Sequence, residues 1–124
     1  MRCLSVRQPW AQLIATGRKK IELRTWRTDY RGPIVIVAGQ ARGGPRAAGW
    51  RDVDGPRGAA VAIAELVDCR PARKSDARAA CTEPEAGEWA WELRDVRPIG
   101  PIPQRGRLGL YRPPEDLAEA LARR

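Results

Sequence analysis

Glycine and proline cut this chain into short apolar segments. Residues 33–38, 59–67, 89–93 and 108–111 are each bounded by one or the other, and short apolar runs between turn formers are strand signatures. Two more strands precede them. Residues 2–6 read as one, and Lys20-Ile21-Glu22-Leu23-Arg24 alternates strictly, with Ile21 and Leu23 on one face and Lys20, Glu22 and Arg24 on the other. Between these two, Pro9 suits the first turn of a helix and Gly17 its end, which predicts a helix over 9–16 with Trp10, Leu13 and Ile14 as its apolar face. Many short strands with few helices describe an α+β fold: a small mixed β-barrel, closed so that no strand edge is exposed, flanked by two to four short helices.

Two longer connections remain. Residues 43–58 are rich in Gly, Pro and Arg and read as a loop, while the loop 72–87 has room for one or two helical turns over 74–81. A C-terminal helix is predicted from Pro113 or Pro114. Glu115 and Asp116 lie in its first turn, Arg123 and Arg124 at its end, in keeping with the helix dipole, and Leu117 and Leu121 form its apolar stripe. Neither loop reads as a linker, and 124 residues are enough for one core but too few for two, so a single domain over 1–124 is expected.

Charge is spread unevenly. Eleven basic residues but only two acidic ones, Glu22 and Asp29, fall in the first 51 positions, so the net charge of +8 is concentrated at one end. Arginine abundance alone has a bland explanation in GC-rich coding. The asymmetry comes from missing acids, and it points to a polyanionic partner. Cys3, Cys69 and Cys81 are odd in number, widely spaced and without a CxxC pair, which argues against a disulfide framework and a zinc site. The chain has no histidine, so Ser-His-Asp and Cys-His nucleophiles and His-ligated zinc are excluded. No metal or cofactor is expected. No apolar run approaches the roughly 20 residues that span a bilayer, and there is no signal-peptide core, so no membrane partner and a cytoplasmic location are expected.

Three motifs carry a family resemblance. Leu4-Ser5-Val6-Arg7-Gln8-Pro9-Trp10, the pattern Gly17-x-Lys19-x-x-Glu22-x-Arg24-x-Trp26, and Pro101-Ile102-Pro103-x-x-Gly106-x-Leu108-Gly109-Leu110 together resemble the ASCH (activating signal cointegrator homology) domain family. Tyr30-Arg31-Gly32-Pro33, Gly58-Ala59-Ala60-Val61 leading to Glu65-Leu66, and Trp89-Ala90-Trp91 extend the match over nearly the whole chain. The resemblance implies a PUA-like barrel with flanking helices and a cleft associated with RNA. Most members are proposed as RNA-binding or RNA-processing modules; one branch resembles amidohydrolases that deacetylate 4-acetylcytidine, and some members are reported to cut RNA. The expected function is therefore nucleic-acid binding, RNA more than DNA, with hydrolysis in the same cleft as the alternative.

The resemblance places Lys19 at the cleft, where a lysine holds a phosphate or, with a lowered pKa, takes part in catalysis. The amidohydrolase branch pairs that lysine with a threonine nucleophile. Glu22 occupies the matching position here, and a carboxylate cannot replace a hydroxyl that must be acylated. Thr25 is the nearby hydroxyl, but alternation puts it opposite Glu22. If the chain is an enzyme, Lys19, Glu22 and Glu65 are the catalytic candidates. Glu65 qualifies because an acid is unusual in the apolar run 59–67 and would need a partner such as Lys19 or Arg24 if it faced inward. The nucleic-acid-binding candidates are Ser5, Arg7, Gln8, Trp10, Lys20, Arg24, Trp26, Arg27, Arg31 and Trp50. Ser5, Arg7 and Gln8 precede a helix start, where phosphate is favoured, although Ser5 or Gln8 serves equally as a cap. Trp26 and Trp50 are flanked by cations and suit base stacking. Arg42, Arg46 and Arg51 extend Arg27 and Arg31 into a phosphate track.

Overall fold

The computed structural model describes residues 1–124. Its elements are β1 (Arg2–Gln8), α1 (Trp10–Ala15), β2 (Ile21–Arg24), β3 (Gly32–Arg42), β4 (Ala59–Pro71), α2 (Ala77–Ala80), β5 (Trp89–Pro103), β6 (Leu110–Tyr111) and α3 (Glu115–Ala122). The strands form one mixed sheet in the order β2-β5-β4-β3-β1-β6. β1 runs parallel to β3, and every other pair is antiparallel. This is the small α+β fold expected, with one difference: β2 and β6 are free edges, so the sheet is not closed.

The uninterrupted apolar run Ile34–Ala38 explains why β3 is central. All five residues are buried, with Ile34, Ile36 and Ala38 in one core cluster and Val35 and Val37 in another on the opposite face. A strand covered on both sides has no polar face to show. The larger cluster is completed by Ala11, Ile14 and Ala15 of α1, and the smaller by Leu117 of α3. Six residues are too few for a helix to stand alone. α1 is held instead by its buried face, where Ile14 alone contributes about 1.5–3 kcal/mol, and by Gln8, whose Oε1 accepts the Gln12 N–H at 2.9 Å. Gly17, at φ +82°, ends it and turns the chain toward β2.

β4 and β5 outrun the expected 59–67 and 89–93. They extend each other through register shifts at Ala60/Ala62, Ile63/Glu65 and Leu66/Asp68, and such bulges bend a long hairpin and absorb residues that alternation does not anticipate. The prolines of β5 fall in this irregular stretch, where a missing N–H is tolerated. The loop 43–58 contains a 3-10 turn over Pro45–Trp50, absent from the sequence reading. Lys74–Asp76 and α2 supply the helical turns expected over 74–81. Arg70 of β4 holds them down: its guanidinium donates to both Asp76 oxygens at 2.8 Å and to Glu92 at 2.9 Å. No helix is long and apolar enough to cross a membrane.

Candidate functional site

Where β2 faces the upper half of β1, past the end of short β6, the surface opens into a cleft of about 840 Å³. Ser5 and Arg7 of β1, Trp10 at the start of α1, Glu22 to Trp26, the end of β3 at Gly39 to Ala41, Glu88 and residues 105–109 line it. Gly106 lets the last segment close on β1. A Cβ there would stand 2.9 Å from Ser5 Oγ, which instead accepts the Arg107 backbone N–H at 2.9 Å.

The floor is a charged chain of contacts. Glu22 is 6% exposed, its Oε2 accepts from Arg24 Nε at 3.0 Å, and its Oε1 lies 3.6 Å from Lys19 Nζ. Lys19 is buried beneath it, donates to the Ala80 carbonyl and sits 4.9 Å over the Trp10 ring. Burial pulls the Lys19 ammonium below its ordinary value, against the opposing charge of Glu22. Arg24 also donates to the Ser5 carbonyl at 2.6 Å, tying β2 to β1 across a gap that no strand pairing spans. On the wall, Glu88 takes both guanidinium nitrogens of Arg46, at 2.8 and 3.0 Å. Burial works against its charge, yet the Arg46 and Glu85 N–H hydrogen bonds hold the Glu88 carboxyl below its usual value.

Ser5, Arg7, Trp10, Glu22, Arg24 and Trp26 of the expected residues therefore meet at one place. The others do not. Gln8 is fully buried, donating to the Pro56 carbonyl at 2.8 Å and capping α1, so it is structural. Lys20 precedes the strand and points to a separate groove that also holds Trp50, whose indole N–H donates to the Cys81 carbonyl at 2.7 Å. Arg27 pairs with Asp29, and Arg31 with Asp68 at 3.6 Å, both outside the cleft. Arg42 is spent on the Trp50 and Val53 carbonyls and Arg51 on that of Ala48, so no continuous phosphate track forms. Glu65 stands opposite Arg94 between Ala64 and Leu66, whose side chains face the larger core; its own faces the other side of the sheet, away from Lys19 and Glu22. Thr25 follows the last residue of β2, and the bend there swings it into the cleft with Glu22 rather than opposite it.

Arg105, Arg107, Gln40 and Glu88 escaped the sequence reading. Arg105 and Arg107 occupy variable positions within the Pro101 to Leu110 motif, so a pattern that marks its glycines passes over them. Two cations flanking Gly106 just before a strand were the available signal.

The ASCH domain family model matches residues 4–103. Activating signal cointegrator 1 of Homo sapiens is 36% identical over 81 residues, covering 54% of this chain and 14% of the human protein. The Mus musculus protein of that name matches with the same identity and coverage. The chain thus spans 14% of the length of these curated relatives. Among solved structures, ASCH from Zymomonas mobilis has a TM-score of 0.70 at 17% identity, covering 98% of this chain and 93% of that one. A point variant of the Zymomonas mobilis protein gives 0.66 at 16% identity, with 98% and 96% covered. At such identity the likeness is one of fold.

Proposed function

The chain belongs to the ASCH domain family, and from that premise we propose that it binds nucleic acid, single-stranded RNA in preference to DNA, in the cleft between β1, β2 and residues 105–109. The observation that carries this reading is a set of cations with no carboxylate partner beside half-buried indoles. Arg7, Arg105 and Arg107 line the cleft and take part in none of the ion pairs, while Trp10 and Trp26 line the same space. An unpaired guanidinium gains most from a phosphate, and a half-open indole stacks a splayed base. The volume lies within the roughly 300–1,000 Å³ typical of small-ligand sites.

Glu22 supplies the acceptor for an exocyclic amine or a ribose hydroxyl. Its charge is offset by Lys19 and Arg24, which lessens repulsion of the ligand's backbone. The hydroxyl is what favours RNA over DNA. Binding is preferred to hydrolysis because Lys19 is 2% exposed beneath the floor and Glu65 lies outside the cleft, so the catalytic set expected from sequence is not assembled.

The test is anisotropy of a labelled single-stranded RNA between 50 and 200 mM salt. Three phosphate contacts, each with a salt slope of about 0.7, weaken binding about 20-fold over that range, and Arg105→Ala with Arg107→Ala reduces the loss to about 3-fold. Salt-independent binding, or binding unaltered in the double variant, overturns the assignment.

A further inference from the structure

The cleft does not hold all of the unpaired charge on its side of the molecule. A second groove of about 740 Å³ is lined by Gly17, Arg18 and Lys20 from the turn after α1, by Trp50, and by Ala77 to Glu83 around α2. Arg18, Lys20 and Arg78 are exposed there. None of the three takes part in an ion pair. By contrast, Arg27, Arg31, Arg42 and Arg46 are each paired with a carboxylate. Glu83 is the groove's one acid.

The groove is built rather than incidental. Trp50 is fixed by its hydrogen bond to Cys81, and the Arg18 guanidinium lies 4.9 Å over its ring, an arrangement that holds a flexible cation in place. The groove also abuts the cleft. Arg46 bridges them, bonding the Glu88 carboxylate on the cleft wall and the Glu83 carbonyl on the groove wall. Beneath both, Lys19 contacts Glu22 of the cleft on one side and Ala80 of α2 on the other.

Resting on the binding function proposed above, we infer that this groove takes the phosphates flanking the nucleotide held in the cleft, so that a bound single strand crosses the Arg46–Glu88 bridge and continues along Arg18, Lys20 and Arg78. Three adjacent cations without partners complement a backbone carrying one negative charge per nucleotide, and Trp50 offers a face to a flanking base.

The experiment compares RNA of 4 and of 12 nucleotides on the wild-type chain, on Arg18→Ala/Lys20→Ala/Arg78→Ala, and on the charge-reversing Lys20→Glu/Arg78→Glu, with circular dichroism confirming that each variant is folded. The expected result is a 12-mer weakened at least tenfold in both variants at low salt, its salt slope reduced by about 2 in the triple variant, and a 4-mer bound within twofold of wild type. Equal losses for the two lengths, or none, overturn the inference and leave the cleft reading standing. A wild-type chain that binds neither length overturns both.

Discussion

Lys19 and Lys20 are neighbours with opposite fates. Lys19 is buried against Glu22 and Ala80; Lys20 is exposed on the groove. Removing one member of a buried pair strands the other, and because Arg24 still holds Glu22, Lys19→Ala is expected to cost about 3 kcal/mol, the lower end for such pairs. Lys20→Ala stays within about 0.5 kcal/mol of wild type. Urea denaturation of the two variants separates them. Alternation in the sequence does mark Glu22 and Arg24 as sharing a face. It misplaces Lys20 because the strand begins one residue later, at Ile21. Which arginines remain available is not legible locally at all: Arg46 is taken by Glu88, 42 positions away, and Arg42 by carbonyls of the loop that the 3-10 turn shapes.

At the scale of elements, short pieces are held by staples that only the fold creates. α2 has four residues and depends on Arg70 and Asp76, whose guanidinium hydrogen bonds lower the Asp76 carboxyl to about 2, against its burial. A folded value below the unfolded 3.8 means that the stabilisation is complete above pH 4 and is lost as pH falls through about 2. Asp76→Asn is therefore expected to cost about 2 kcal/mol at neutral pH, and the gap from wild type to close between pH 4 and 2 when urea midpoints are measured across that range. The regular elements were legible: Pro9 and Gly17 bracket α1, Gly and Pro bound the strands, and Glu115 to Leu121 announce α3. The lengths of β4 and β5 were not, because bulges break the period of two on which strand reading depends.

For the whole molecule, the sheet carries α1 on one face and α3 on the other, and the cleft belongs to the α1 side. Leu117→Ala is expected to cost 2–5 kcal/mol by opening a cavity in the smaller core while leaving RNA affinity unchanged; thermal unfolding and anisotropy on the same sample check both halves. The first two sequence motifs located one wall and the floor of the cleft, since each lies on a short run of residues. The opposite wall comes from residues 105–109, some hundred positions away, and it is brought there by the return of the chain into β6. The expectation of a closed barrel also failed at this place, and Arg24 shows what took closure's place. One side chain reaching the Ser5 carbonyl is a clasp where a seam of backbone bonds would otherwise run. The mouth between β1 and β2 is thus spanned by one guanidinium rather than by a ladder, and the two strands keep their spacing through a single side-chain hydrogen bond.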